Sequence, residues 1–219
     1  MAQLEVISFD MEGTLIDDSF SNLIWETDVP RLYAERHGLG PEEAKRVVLA
    51  EYDTVGEGRP EWYDVDYWFR RFRLEGDWCE LLEERSGDCR PYPESAEVLE
   101  RMGELYTLVI ISNTIREFLE VQLRKLPQVF TRVFSASSDF GEVKKSPQFY
   151  HRICRELGRR PHEMAHVGDH YRFDYEAASQ AGLRAYHLDR SGNSSCEHSV
   201  RDLLEFESSV SIAVPKPHK

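Results

Sequence analysis

Four acidic residues, Asp10, Glu12, Asp169 and Asp174, stand just beyond short apolar runs that stop at polar side chains. Leu4 to Phe9 gives way to Asp10-Met11-Glu12-Gly13-Thr14, and Met164 to Val167 gives way to Gly168-Asp169, with Asp174 five residues on. An ionised aspartate beside a cation can attack phosphorus in line, and a carboxyl two residues later can exchange a proton with the leaving oxygen. Tyr106 to Ile111 ends in the same way at Ser112-Asn113-Thr114, where a hydroxyl and backbone N–H groups ahead of a helix can hold phosphate oxygens. Lys144, in Gly141-Glu142-Val143-Lys144-Lys145-Ser146-Pro147, supplies a cation to pair with Asp10 and the phosphoryl oxygens, and Lys145 is the alternative for that role. Like charges ~4 Å apart repel by about 4 kcal/mol at an effective dielectric near 20, so carboxylates gathered in this way call for raised pKa values or a bound cation. A hard divalent ion such as Mg²⁺ suits oxygen donors and bridges readily to phosphate.

These residues meet only if the apolar runs are adjacent strands. The runs are short and rich in β-branched and aromatic residues, and amphipathic segments of helical spacing separate them: Pro93 to Leu105, Ile115 to Leu126, Pro147 to Leu157 and Arg172 to Ala181. Gly182 is placed to cap the last of these, and Val133 to Ser137 and Arg184 to Leu188 are further strand candidates. Strands alternating with helices predict an α/β fold, a doubly wound and mostly parallel sheet whose ligand crevice lies beyond the carboxyl ends of the strands. Asp10, Ser112 and Asp169 fall on that edge.

Asp17 to Cys89 breaks the alternation. It shows helical patterns over Pro30 to His37, Pro41 to Asp53, Tyr63 to Leu74 and Trp78 to Arg85, and reads as an inserted helical lobe. The expected division is a core of residues 1–16 and 90–219 and a cap of residues 17–89. All four tryptophans lie in the cap, most of them as its own core; Trp62, Tyr63 and Tyr67 are candidates for contact with a leaving group.

The chain of 219 residues carries 27 Lys and Arg against 40 Asp and Glu, a formal charge of −13, which disfavours nucleic acid and anionic lipid as partners. With 41% hydrophobic residues and no apolar run near the ~20 residues of a membrane span, a soluble, cytoplasmic protein with a packed core is expected. Cys79, Cys89, Cys154 and Cys196 lack the spacing of a zinc ribbon or a disulfide framework and read as free thiols. The end, Val214 to Lys219, reads as a frayed tail.

Four segments together, F-D-M-E-G-T-L (9–15), I-I-S-N-T (110–114), K-K-S-P-Q-F-Y (144–150) and H-V-G-D-H-Y-R-F-D (166–174), resemble in order and spacing the haloacid dehalogenase superfamily of phosphohydrolases. The resemblance spans the chain outside the helical insertion and implies a Rossmann-like core under a mobile helical cap. It implies Asp10 as nucleophile and metal ligand, Glu12 as acid/base with its backbone carbonyl on the metal, Ser112 on phosphate, Lys144 as the family lysine, Asp169 as a metal ligand, and Asp174 as a carboxylate that holds the metal directly or through another ligand. The implied activity is Mg²⁺-dependent hydrolysis of a small phosphorylated metabolite through an aspartyl phosphate. Two positions depart from the pattern: Glu12 stands where phosphatases of the family carry aspartate, and Lys145 where many relatives carry proline.

Other readings fit less of the chain. His162-Glu163-Met164-Ala165-His166 matches a zinc-protease signature, yet His166 opens a strand, where residues four apart are separated by ~13 Å, too far to share one zinc. Literal dehalogenase chemistry uses an aspartate but no metal, which leaves Asp169 and Asp174 without a role. A protein that binds a phospho-ligand without efficient turnover is kept open by Glu12. Thr14 reads as a turn residue, Asp17 and Asp18 as hinge or surface groups, Arg116 as solvated, and His170 as a neighbour of the site.

Overall fold

The computed structural model describes residues 3–143 and 145–212, so the Val214 to Lys219 tail lies outside the described residues. Six strands form one sheet: β1 (Val6–Phe9), β2 (Thr107–Ser112), β3 (Phe130–Ser135), β4 (Met164–Gly168), β5 (Arg184–Leu188) and β6 (Ser199–Val200). Their order is β3-β2-β1-β4-β5-β6 and every pairing is parallel. This is the doubly wound α/β arrangement expected of strands alternating with helices.

Both faces of the sheet are covered, which explains why β1, β2 and β4 are apolar almost throughout. Ile7, Phe9, Leu108, Ile110, Ala165 and Val167 point to one face, packed by the helices Ser95–Gly103, Arg116–Leu123 and Leu203–Ile212. Val6, Val109, Ile111 and Met164 point to the other, against Pro147–Leu157 and Ala177–Gln180. The chain winds outward from β1 to β3 and then returns to place β4 on the opposite side of β1, in the register Phe9 to Val167. The order therefore reverses between β1 and β4, where a crevice opens beyond the strand ends.

Two elements differ from the sequence expectation. The strand over Val133 to Ser137 is instead Phe130–Ser135, because the Ser135 hydroxyl accepts the Ser138 N–H at 3.0 Å and starts the helix Ala136–Phe140. The helix over Arg172 to Ala181 begins as a wider π-helical turn, Tyr171–Glu176, and becomes α-helical only over Ala177–Gln180. Gly182 follows it with φ +87°.

Between Ser19 and Asp88 every regular element is helical. The chain enters and leaves this segment through paired backbone: the Asp17 N–H donates to the Arg90 carbonyl at 3.0 Å and the Tyr92 N–H to the Leu15 carbonyl at 3.0 Å. Asp28, fully buried, is held by Arg85 through two bonds of 2.7 and 2.8 Å that tie the start of the segment to its end. Trp68 is fully buried with Tyr52 and Phe72, and Trp25 stacks at 5.9 Å on Phe118 of the sheet-covering helix Arg116–Leu123. Cys79, Cys89, Cys154 and Cys196 are all free. No described helix is long and apolar enough to cross a membrane.

Candidate active site

Asp10 leaves the end of β1, where its N–H still donates to the Val167 carbonyl at 2.9 Å and so continues the ladder by one residue. Asp169 leaves β4 next door, and Asp174 comes back to the same place on the π turn that follows. Ligand oxygens of Asp10, Asp169 and Asp174 lie within 4.8 Å of one another. Two glycines permit this approach. A Cβ on Gly13, whose φ is +70°, would stand 2.4 Å from Asp169 Oδ2, and one on Gly168 would stand 2.3 Å from Asp174 Cγ.

Among the described residues, the cation inside this cluster is Lys145. Only 2% exposed, it donates from Nζ to Asp10 Oδ1 at 2.7 Å and to the Ile111 carbonyl at 3.2 Å, and it pairs with Asp174 Oδ1. Lys144, first choice for that role on sequence, lies outside the described residues. Burial works against the Lys145 charge, but Asp10 and Asp174 outweigh it and raise its pKa further.

Burial also opposes ionisation of Asp174, yet Lys145 and a hydrogen bond from His166 hold its carboxyl below the ordinary aspartate range. Its Oδ2 accepts the His170 N–H at 3.0 Å. Asp10 is raised by burial and by Asp174, against the pull of Lys145. Asp169, at the mouth of the site, is pushed up to about 8 by desolvation among its neighbours and by the charges of Asp10 and Asp174. Carboxyls raised in this way form an oxygen donor set that a divalent cation would relieve, and the three are placed to hold one.

Glu12 does not join that cluster with its side chain. Its Oε1 accepts from Ser21 Oγ and, at 2.5 Å, from Gln122 Nε2, while burial raises its pKa to about 7. Ser112, nearly buried at the end of β2, donates to Thr114 Oγ1 at 3.2 Å, and the Asn113 Oδ1 beside it has no hydrogen-bond partner. Glu12, Ser112 and Asn113 line one cavity of about 300 Å³ with Asp10, Lys145, Asp169 and Asp174, and its outer wall carries Asp18, Trp25, Trp62 and Tyr63 from the helical segment. Tyr67 packs instead on Trp68 and Arg71.

Several groups that shape the site had no signal in the sequence. His166 belongs to β4, fully buried, and bridges Ser8 Oγ (2.8 Å from Nδ1) to Asp174 (3.1 Å from Nε2). Burial lowers its pKa against the pull of Asp174. His162 lies in a separate short turn, Pro161–Glu163, so no helix presents the two histidines to a shared zinc. Arg190 reaches back to the Gly13 and Thr14 carbonyls and lies 3.4 Å above the Tyr92 ring, clamping the turn after β1. Arg116 is paired with Asp139.

A sheet order reversing between two strand-end aspartates, with a lysine buried against one of them, forms a crevice that gathers carboxylates and a cation at one place. The profile of the haloacid dehalogenase-like hydrolases matches residues 4–182, and the chain belongs to that family. It is 24% identical over 188 residues to the GMP/IMP nucleotidase YrfG of Escherichia coli (strain K12), covering 83% of this chain and 81% of that protein. Two further similar proteins are named as phosphatases, and the family match together with these names supports a phosphoric monoester hydrolase. The fold is shared with a HAD phosphatase from Thermococcus onnurineus (TM-score 0.82, 24% identity, 94% of this chain and 98% of that one). It is shared more loosely with the 2-haloacid dehalogenase from Pseudomonas syringae pv. Tomato DC3000 (TM-score 0.67, 20% identity, 97% and 100%).

Proposed function

We propose that the protein hydrolyses a small organic phosphate monoester through an aspartyl phosphate on Asp10, with Mg²⁺ as cofactor. The observation that carries this reading is the convergence of Asp10, Asp169 and Asp174 on one crevice with Lys145 buried among them. The same cluster argues against literal dehalogenation, which has no use for a cation. Asp10, Asp169 and Asp174, with the Glu12 backbone carbonyl, would hold the ion, which when bound supplies charge neutralisation at the phosphoryl oxygens.

Lys145 occupies Asp10 Oδ1, which leaves Oδ2 as the attacking oxygen. As the Oδ2–phosphorus bond forms and the bond to the leaving oxygen breaks, Glu12 passes its proton to that oxygen; in the second step Glu12 takes a proton from the water that releases phosphate. A carboxyl with a pKa raised to about 7 serves both directions near neutral pH. Lys145, Ser112 and Asn113 hold the phosphoryl oxygens, the role first given to Lys144 passing to its neighbour.

Residues 17–89 act as a cap over a core of residues 1–16 and 90–219, a reading supported by the paired backbone at the junction and by the aromatic wall they add to the cavity. Lys145 is the one lysine or arginine among the described lining residues and is already shared by two carboxylates, while Asp18 adds negative charge to the rim. A leaving group with a second anion finds no partner there. An uncharged, flat one meets Trp25, Trp62 and Tyr63, which suits the nucleoside monophosphates named for the Escherichia coli relative. Phosphate release from a panel of phosphorylated metabolites with Mg²⁺ tests the reading; tight binding without turnover would favour a phospho-ligand-binding protein instead.

A further inference from the structure

Gln122 stands where packing alone would place an apolar side chain. It lies on the helix Arg116–Leu123 among the buried Phe118, Leu119 and Val121, and is itself 0% exposed. Its Oε1 has no hydrogen-bond partner, so a carboxamide here is less favourable to the fold than an apolar group of similar shape. Its Nε2 donates at 2.5 Å to Glu12 Oε1, across 110 positions of sequence. Ser21, nearly buried on the helix Ser19–Leu23, donates its hydroxyl to the same oxygen. Two donors from different helices therefore converge on Oε1, and Oε2 remains as the oxygen free to exchange a proton with the cavity that Glu12 lines.

We infer that Gln122 is a positioning residue for proton transfer: with Ser21 it pins Oε1 of Glu12 so that Oε2 meets the leaving-group oxygen. The inference rests on the acid/base role of Glu12 proposed above. Ser21 belongs to the helical segment, so the same contact makes the aim of the acid depend on where that segment sits.

The test compares kcat/KM, which covers every step up to departure of the alcohol, for an alkyl phosphate and for p-nitrophenyl phosphate with Mg²⁺. Nitrophenolate departs without needing a proton, so only the alkyl ester depends on the aim of Glu12. Gln122→Met is expected to lower kcat/KM for the alkyl ester by about tenfold or more, and for the nitrophenyl ester by less than about twofold. Ser21→Ala is expected to show a smaller loss with the same selectivity, and Glu12→Gln marks the upper limit. Equal losses on both esters, or no loss on the alkyl ester, would overturn the inference. If Gln122→Met does not fold, as judged by circular dichroism, the two-ester ratio for Ser21→Ala decides alone. A wild-type protein that turns over neither these esters nor any member of the phosphorylated-metabolite panel overturns the phosphatase reading itself.

Discussion

Removing the Lys145 ammonium would leave Asp10 and Asp174 buried side by side without the counter-ion they share. Lys145→Met is expected to cost about 3–5 kcal/mol in unfolding free energy, measured by denaturant titration, because breaking a buried pair strands the remaining charge. Its loss of activity should exceed that of Lys144→Met. Asp10→Asn should lower phosphate release by about 10⁴-fold or more while the protein still folds, since the attacking oxygen is gone and the cavity keeps its shape. The acid Asp10-Met11-Glu12 and Gly168-Asp169 groups were readable from sequence because each follows directly on an apolar run. The choice between adjacent lysines was not. Local patterning does not tell two consecutive lysines apart, whereas the backbone entering the helix at Pro147 turns Lys145 toward β1 and β2.

At the scale of elements, the turns after β1 and β4 bring the three carboxyls together only because two positions lack a Cβ. Gly168→Ala would push against Asp174 itself, a buried group with no room to yield. The expected result is a loss of Mg²⁺ affinity of about 10- to 100-fold, read from the Mg²⁺ dependence of activity, as for other changes in groups that orient metal ligands. Periodicity revealed most strands and helices because a half-buried or fully buried element needs a regular apolar pattern. It failed at Ser135, where one side-chain cap stops a strand, and over Tyr171–Glu176, where a wider turn is set by packing against β4 and β5.

For the whole molecule, the crowding of carboxyls predicts how stability responds to pH. Folding raises Glu12 from its ordinary 4.5 to about 7 and Asp169 from 3.8 to about 8. A carboxyl raised in the folded state holds its proton more tightly there than in the unfolded chain. Its stabilising contribution is therefore complete below the ordinary carboxylate range and is lost as pH climbs through the folded value. The metal-free protein should melt at a lower temperature at about pH 8 than at about pH 5, with a smaller difference in Asp169→Asn. Added Mg²⁺ should restore the melting temperature at the higher pH, since an ion that binds the folded state stabilises it.

Local chemistry was enough to indicate an α/β chain with acids at its strand ends, because apolar patterning, turn residues and the charge at a strand end act over a few neighbouring positions. The same local rules marked the stretch from Asp17 to Cys89 as helical. They carried no information about Gln122 on Glu12, His166 on Ser8, or Arg190 on the turn after β1, because those partners lie more than a hundred residues apart. A hydrogen bond over that separation exists only after the sheet has set its strand order and the helices have packed on it. Until then a glutamine in an apolar face looks like an imperfection, and afterwards it is a donor to Glu12.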